Sequence, residues 1–345
     1  MTIITEKLVR QNIRNVTPYS SARSEFSGNN GVFLDANENP YGRYNRYPDP
    51  DQTTLIHQIA RVKNLSPESI IIGNGSDELI DLSLRVFCEP NLDKVMILTP
   101  TYGMYEVCAA IHGTPLIKIP LTEDFQIPVN DVKPYFSYKN LKIIFICSPN
   151  NPTGNLMRIE DIEYLLLNFD GIVVLDEAYI DFCDQPSFAE KISTYPNLIV
   201  LQTMSKAWGL AGLRIGIGIM HPEVITYFRK IKPPYNISSP NAEIAIKALE
   251  NLDLFNNRVN EIIAEREIMT LELSQMKSVK KIYPSDANFI LVEVDNAPDL
   301  YQKLLKRNII VRNRHAVIKN TIRITVGSPA ENQQLIANLK EVIHG

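Results

Sequence analysis

The sequence predicts an α/β fold: a large domain whose mostly parallel sheet is sandwiched by helices, followed by a smaller α+β C-terminal domain. Three observations carry this. Strand-like and helix-like patterns alternate from residue 69 to about 231, as successive βαβ units require. Apolar runs at 95–98, 142–147, 172–175, 198–202 and 215–219 are short and continuous, the pattern of strands buried on both faces. KPPYNISSP (232–240) then breaks the alternation, because adjacent prolines forbid a continuous helix.

The elements follow in order. SIIIGN (69–74) reads as a strand running into a glycine turn, and Ser76 opens a helix whose first turn carries Asp77 and Glu78 to complement its dipole. KIIFIC (142–147) leads into SPNNPTGN (148–155), where Asn-Pro and Thr-Gly signal a strand-to-helix turn. IVVLD ends on Asp176, and NLIVLQ (197–202) precedes TMSKAWGLAGLR and a second apolar run, RIGIGI. The domain boundary is placed at 238/239, since Ser239-Pro240 suits a helix start. A long helical pattern from about 241 to 276 leads to strands near 288–294, 309–312 and 321–326, with a closing helix after Ser328-Pro329.

The chemistry centres on Lys206. A lysine held between two buried strands is partly desolvated, which lowers its pKa and supplies the neutral amine that Schiff-base formation with an aldehyde needs. Thr203, Ser205 and Arg214 stand where they could hold a phosphate beside it, and that combination suits pyridoxal phosphate. Asp176, at a strand's C-terminal end, sits where open α/β sheets bind ligands and could keep a pyridine nitrogen protonated; alternatively it caps the next element. The Tyr179 hydroxyl and the Asn151 amide could bond the ring oxygen, or serve respectively as core tyrosine and turn residue. Gly73 and Gly75 let backbone amides approach an anion above a helix N-terminus, or the turn is a well-capped helix start with no ligand. No dinucleotide fingerprint is present: Glu78 replaces the third glycine, and GIGIMH fails the same test. Arg323 lies between apolar neighbours in IRITV, so it meets either solvent or an anion, which its planar fork binds through two hydrogen bonds.

The ordered set GNGSDE, PTYGMY, SPNNPTG, LDEAY and SKAWGLAGLR resembles the fold-type I, class II aminotransferases that use pyridoxal phosphate. NVTPYSSAR (15–23), LDANENPYG (34–42), NRYPDP (45–50), VRNR (311–314) and IRITVG (322–327) resemble the histidinol-phosphate branch of that family. The resemblance implies that Lys206 holds the cofactor as a covalent Schiff base, Asp176 faces the pyridine nitrogen, and Asn151 and Tyr179 face the ring oxygen. It implies that Tyr102 stacks on the ring, while Gly75, Ser76, Asp77, Thr203, Ser205 and Arg214 hold the phosphate. It makes Arg323 the anchor for the substrate's acidic group, with Arg312 and Tyr19 as further contacts and Asn39, Tyr47 and Asn151 in the substrate set. Tyr47 would also reach the cofactor phosphate of the neighbouring subunit in a homodimer with shared active sites. The implied reaction moves an amino group between L-glutamate and imidazole-acetol phosphate, forming L-histidinol phosphate in histidine biosynthesis. A phosphothreonine decarboxylase or an aromatic amino-acid aminotransferase of the same fold shares most of these motifs. Residues 1–30 are expected to form an arm against the small domain, with 31–238 the cofactor domain and 239–345 the small one.

Composition narrows the field further. A net charge of −4 over 345 residues, with basic residues dispersed, gives no reason to expect nucleic acid. No apolar stretch reaches signal-peptide or membrane-span length, which points to the cytoplasm. Cys88, Cys108, Cys147 and Cys183 lack metal-ligand spacing and read as reduced thiols, so no metal is expected.

Overall fold

The computed structural model describes residues 5–18 and 31–344. Seven strands build the large sheet: β1 (Ile70–Asn74), β2 (Lys94–Thr99), β3 (Leu116–Pro120), β4 (Leu141–Cys147), β5 (Ile172–Asp176), β6 (Leu198–Thr203) and β7 (Ile215–Met220). Their order is β1-β7-β6-β5-β4-β2-β3. The pairs β2–β3, β2–β4, β4–β5 and β5–β6 are parallel, and β7 runs antiparallel to both its neighbours. The predicted fold class is realised.

Strand periodicity divides the core in two. Ile144, Val173, Leu175 and Val200 face one side with Leu55 and Ile59 of the helix Thr53–Lys63, while Phe145, Val174, Ile199 and Leu201 face the other with Leu79 of the helix Ser76–Phe87. Residues of β5, β6 and β7 are buried throughout, which is why their sequences lack polar alternation. β3 escaped the sequence reading for the opposite reason. It is a half-exposed edge strand, with Lys118 paired to Glu106 at 2.6 Å and Pro120 at its end.

The smaller sheet is antiparallel, in the order β10-β11-β9-β8, from β8 (Val279–Ile282), β9 (Phe289–Val294), β10 (Arg312–Asn313) and β11 (Thr321–Thr325). Of the expected 309–312 region only Arg312 pairs as strand, together with Asn313 just beyond it, and β8 is an edge strand that periodicity did not reveal. The expected long helix is two, Ser239–Leu249 and Leu252–Ser274. Asn251 breaks it: its side chain accepts from the Leu254 amide at 3.1 Å, restarting the helix as an N-cap. Ala245 and Leu249 join the large sheet's core, whereas Met269 and Leu273 join the small sheet's.

Within the described part of the N-terminal arm, Val9 and Ile13 are buried with Phe228 on the large sheet's side, and the Arg10 amide donates to the Val86 carbonyl at 3.0 Å. That segment therefore lies on the large domain rather than the small one, because its two apolar side chains find their partners there. The two sheets are joined near 154 and 286. The Asp286 amide donates to the Gly154 carbonyl at 2.8 Å, and the Asp286 carboxylate accepts from the Leu156 amide at 2.9 Å.

One backbone crossing positions the site. Gly216 pairs with Gly73 on β1 and with Thr203 on β6, and a Cβ there would lie 2.3 Å from the Gly75 carbonyl carbon and the Ser76 nitrogen. The turn after β1 can therefore sit directly against β7. Gly216→Ala should destabilise the fold by about 1–3 kcal/mol, as overpacking does, read as a lower urea midpoint; an unchanged midpoint would mean that the crossing relaxes freely.

Candidate active site

The C-terminal ends of the parallel strands, together with the start of the antiparallel β7, face a cleft of about 970 Å³ whose other wall is the small sheet. Asp176 ends β5 at its floor and is only 2% exposed. Its Oδ1 accepts from the Ala178 amide at 3.0 Å and its Oδ2 from the Tyr105 hydroxyl at 2.7 Å. Burial outweighs both bonds and pushes the carboxyl up to about 6. Tyr105 was not foreseen as a site residue. The spacing in PTYGMY nevertheless puts it one helical turn after Tyr102, on the inner face of Met104–His112.

Tyr102 also lines the cleft, donating its hydroxyl to Asp77 Oδ1 at 3.0 Å and leaning edge-on against Tyr105 with centroids 5.6 Å apart. Lys206 is half-buried, its Nζ 5.7 Å from the centre of the Tyr179 ring. Burial first, and then the like charge of Arg323, pull its ammonium below the usual lysine range. Asn151 Nδ2 donates to the Tyr179 hydroxyl at 3.2 Å, and Arg323 Nη1 donates to Asn151 Oδ1. These three side chains thus form a chain from the large sheet's loops to β11.

The residues expected to hold phosphate gather at the sheet edge. The Thr203 hydroxyl lies 2.9 Å from Ser205 Oγ and 3.1 Å from the Ile215 carbonyl, and Arg214 Nη2 lies 3.7 Å from Asp77 Oδ2. Gly75 bridges them, its amide donating to the Arg214 carbonyl at 2.7 Å. Its φ of +77°, and the 2.3 Å that would separate a Cβ from Arg214 Nη2, explain why no side chain stands there.

On the small-sheet side, Arg312, Arg314 and Arg323 all line the cleft, and none is paired with a carboxylate of a described residue. Arg323 spreads its guanidinium over the Phe289 ring at 5.1 Å, and its Nε, like that of Arg314, is buried without a hydrogen-bond partner. Burial lowers the pKa of both Arg314 and Arg323, and proximity to Arg312 lowers them further. Arg314 was missed, although strand spacing in VRNR puts it on the same face as Arg312.

The chain does not bring every expected residue here. Tyr47 stacks on Tyr235, with centroids 4.5 Å apart, in a separate groove formed by residues 36–38, 44–48 and 238–240. Asn39 is exposed and accepts from the Tyr41 amide at 3.0 Å. Tyr19 lies outside the described residues. Among those residues, no group of three or more His, Cys, Asp or Glu could hold a metal ion, and no helix is long and apolar enough to cross a membrane.

Residues 32–339 match the family described as aminotransferase class I and II. The chain belongs to that family. Histidinol-phosphate aminotransferase of Cytophaga hutchinsonii is 46% identical over 99% of each chain. Among solved structures, histidinol-phosphate aminotransferase from Clostridium acetobutylicum superposes with a TM-score of 0.80 at 27% identity, covering 87% of this chain and 91% of that one. The Sinorhizobium meliloti enzyme of the same name, in complex with pyridoxal-5'-phosphate, gives 0.78 at 26% identity over 87% of this chain and 83% of its own.

The donor set of this aminotransferase fits a phosphorylated pyridine aldehyde. A buried carboxylate with no cation in contact suits a ring N–H, and hydroxyls with an arginine at a helix N-terminus suit a phosphate. In the cofactor-free aminotransferase, Asp176 has a folded pKa above its unfolded one, so its contribution to stability is full below about pH 4 and is lost as pH rises through about 6. Asp176→Asn removes that dependence. The difference in urea midpoint between variant and parent should shift in the variant's favour from about pH 5 to about pH 8, and a constant difference would mean that the carboxylate is not desolvated.

Proposed function

We propose that this aminotransferase uses pyridoxal phosphate to move an amino group between L-glutamate and imidazole-acetol phosphate, yielding L-histidinol phosphate for histidine biosynthesis. The observation that carries the substrate assignment is the cluster of Arg312, Arg314 and Arg323, cationic and unmatched by described carboxylates, at one wall of the cleft. Charge of this density suits a dianionic phosphate better than a lone carboxylate. The full-length Cytophaga relative, named for the same activity, supports the choice.

When bound, the cofactor supplies an electron sink for charge developing at the substrate Cα. Asp176 would hold the ring nitrogen's proton, Asn151 and Tyr179 would hold the ring oxygen, and Tyr102 would pack on the ring. The backbone of Gly75, Ser76 and Asp77, with Thr203, Ser205 and Arg214, would hold the phosphate. Lys206 would hold the cofactor covalently, and its free amine would serve as the base and acid that moves the substrate's Cα proton. Its lowered pKa enlarges the neutral fraction able to do so. Arg323 receives the glutamate carboxylate in one half-reaction and the substrate phosphate in the other, with Arg312, Arg314 and Tyr19 adding to the second.

The active unit is a homodimer with shared sites. Val32 and Leu34 are each 88% exposed and Tyr41 84%, on the segment that carries Asn39 and Tyr47, and a second copy would cover them. Tyr47 then completes the partner's phosphate site, and Asn39 its substrate set. We place the enzyme in the cytoplasm, a reading supported by four free thiols.

Borohydride reduction of the loaded enzyme should fix the cofactor's mass on the peptide bearing Lys206; mass on another lysine overturns that role. Histidinol phosphate with 2-oxoglutarate should give glutamate, whereas carbon dioxide released from phosphothreonine would favour a decarboxylase. Arg323→Ala should lower kcat/KM in both half-reactions by roughly 10- to 150-fold, the loss of one charge-assisted contact. Arg312→Ala should harm the phosphate substrate more than glutamate, and equal losses would make Arg312 structural. Co-expressing Lys206→Ala and Tyr47→Ala chains should restore activity through one intact site per heterodimer; heterodimers as inactive as either parent would sink the shared-site assignment.

A further inference from the structure

Directly beneath the cleft floor lies a fully buried phenol that none of the roles above uses. The Tyr105 ring stacks on Phe145 of β4, with centroids 4.9 Å apart and planes 10° from parallel, and Tyr102 leans on it edge-on. This fixes the ring and aims the hydroxyl at Asp176 Oδ2, 2.7 Å away. The Cys147 thiol is the other polar neighbour, a weak acceptor that is itself engaged with the Pro149 carbonyl. Burial and the adjacent carboxylate hold Tyr105 well above the ordinary tyrosine range, so it stays neutral and serves as a donor.

Asp176 has two hydrogen-bonding partners, the Tyr105 hydroxyl and the Ala178 amide, one on each oxygen. Together they set the plane of the carboxylate and leave each oxygen a free lone pair. The other charged or titratable groups that act on it are Asp77, Lys206, Tyr102, Tyr179 and Cys147. Of these only Lys206 favours the anion, and it does so more weakly than either hydrogen bond. Without the Tyr105 hydroxyl, a side chain only 2% exposed would lose a fixed donor that no water-filled surface could replace.

We propose that Tyr105 is a positioning residue for the cofactor, its hydroxyl fixing the Asp176 carboxylate in the orientation and ionisation state that a protonated ring nitrogen requires. The proposal rests on the pyridoxal-phosphate reading above. Tyr105 touches neither cofactor nor substrate; it acts through Asp176. The ordinary value for an aspartate is near 3.8 and Asp176 already stands at about 6, so loss of a bond that lowers it moves its titration toward neutral pH.

Tyr105→Phe keeps the stacked ring and removes one oxygen. Cofactor-free wild type and variant are titrated with pyridoxamine phosphate, which cannot bond covalently to Lys206, from about pH 5.5 to about pH 8.5, with binding read by fluorescence. The variant should bind roughly 10- to 100-fold more weakly near neutrality, the loss of one hydrogen bond to a buried charge. The pH at which half of its affinity is lost should move upward. In an Asp176→Asn background, Tyr105→Phe should add little. A uniform loss at every pH, or a loss that multiplies fully with that of Asp176→Asn, would mean that Tyr105 is only core packing and would overturn the proposal. Failure of the wild type to bind would overturn the cofactor reading and this proposal with it, whereas wild-type binding beside an unshifted variant overturns the role of Tyr105 alone.

Discussion

The carboxylate of Asp176 is held almost entirely out of water, and most of what surrounds it can be understood as the set of conditions that make this tolerable. A lone buried anion would take up a proton or destabilise the fold. Here a peptide N–H and a phenol each supply a donor, yet the group still titrates near 6 rather than near 4. Neither of the two groups that bond it is a cation. Neighbouring Glu177 is equally buried, and burial raises its carboxyl too, but it accepts bonds from Ser187, Phe188 and Gln202 where Asp176 has two donors.

Strand direction brings the other groups to the same place. β4, β5 and β6 run parallel and end at one edge, delivering the loop with Asn151, then Asp176, then Thr203. β7 turns back from that edge, so Lys206 and Arg214 occupy one short connection instead of opposite ends of a crossover. β1 runs antiparallel to β7 and brings Gly75 to the same rim, where the absence of a side chain on Gly216 lets the turn close against the sheet. The small sheet adds Arg323, joined to Asn151 across the cleft.

Much of this is legible in the sequence. Strands buried on both faces have nearly unbroken apolar sequences, so β4, β5, β6 and β7 could be read within a residue or so of their ends. The edge strands β3 and β8 could not, because a half-exposed strand carrying lysines has no such signature. Helix periodicity ran through Asn251 because one capping side chain does not interrupt an apolar pattern. Polar residues at the ends of strands announced themselves. Tyr105 did not, since a buried tyrosine in an amphipathic helix looks like core until its hydroxyl is seen to meet Asp176. Tyr47 and Asn39 stand apart from the cleft in one chain, so their place in the motif set had no counterpart in the geometry of a single subunit.

The three arginines on the small-sheet wall also bear on how fast ligands arrive. Held close together with no carboxylate from the described residues between them, they repel one another, which adds to the burial that already lowers the pKa of Arg314 and Arg323. An incoming anion relieves that repulsion, and low-dielectric walls concentrate the field at the mouth of the cleft. Encounter is therefore steered by charge number before shape is tested, and the capture rate of a dianion depends more steeply on ionic strength than that of a monoanion. At low salt the wall attracts any multiply charged small anion. Under cellular salt, screening shortens its reach to about 8 Å, and discrimination passes from long-range attraction to the hydrogen-bonding forks themselves.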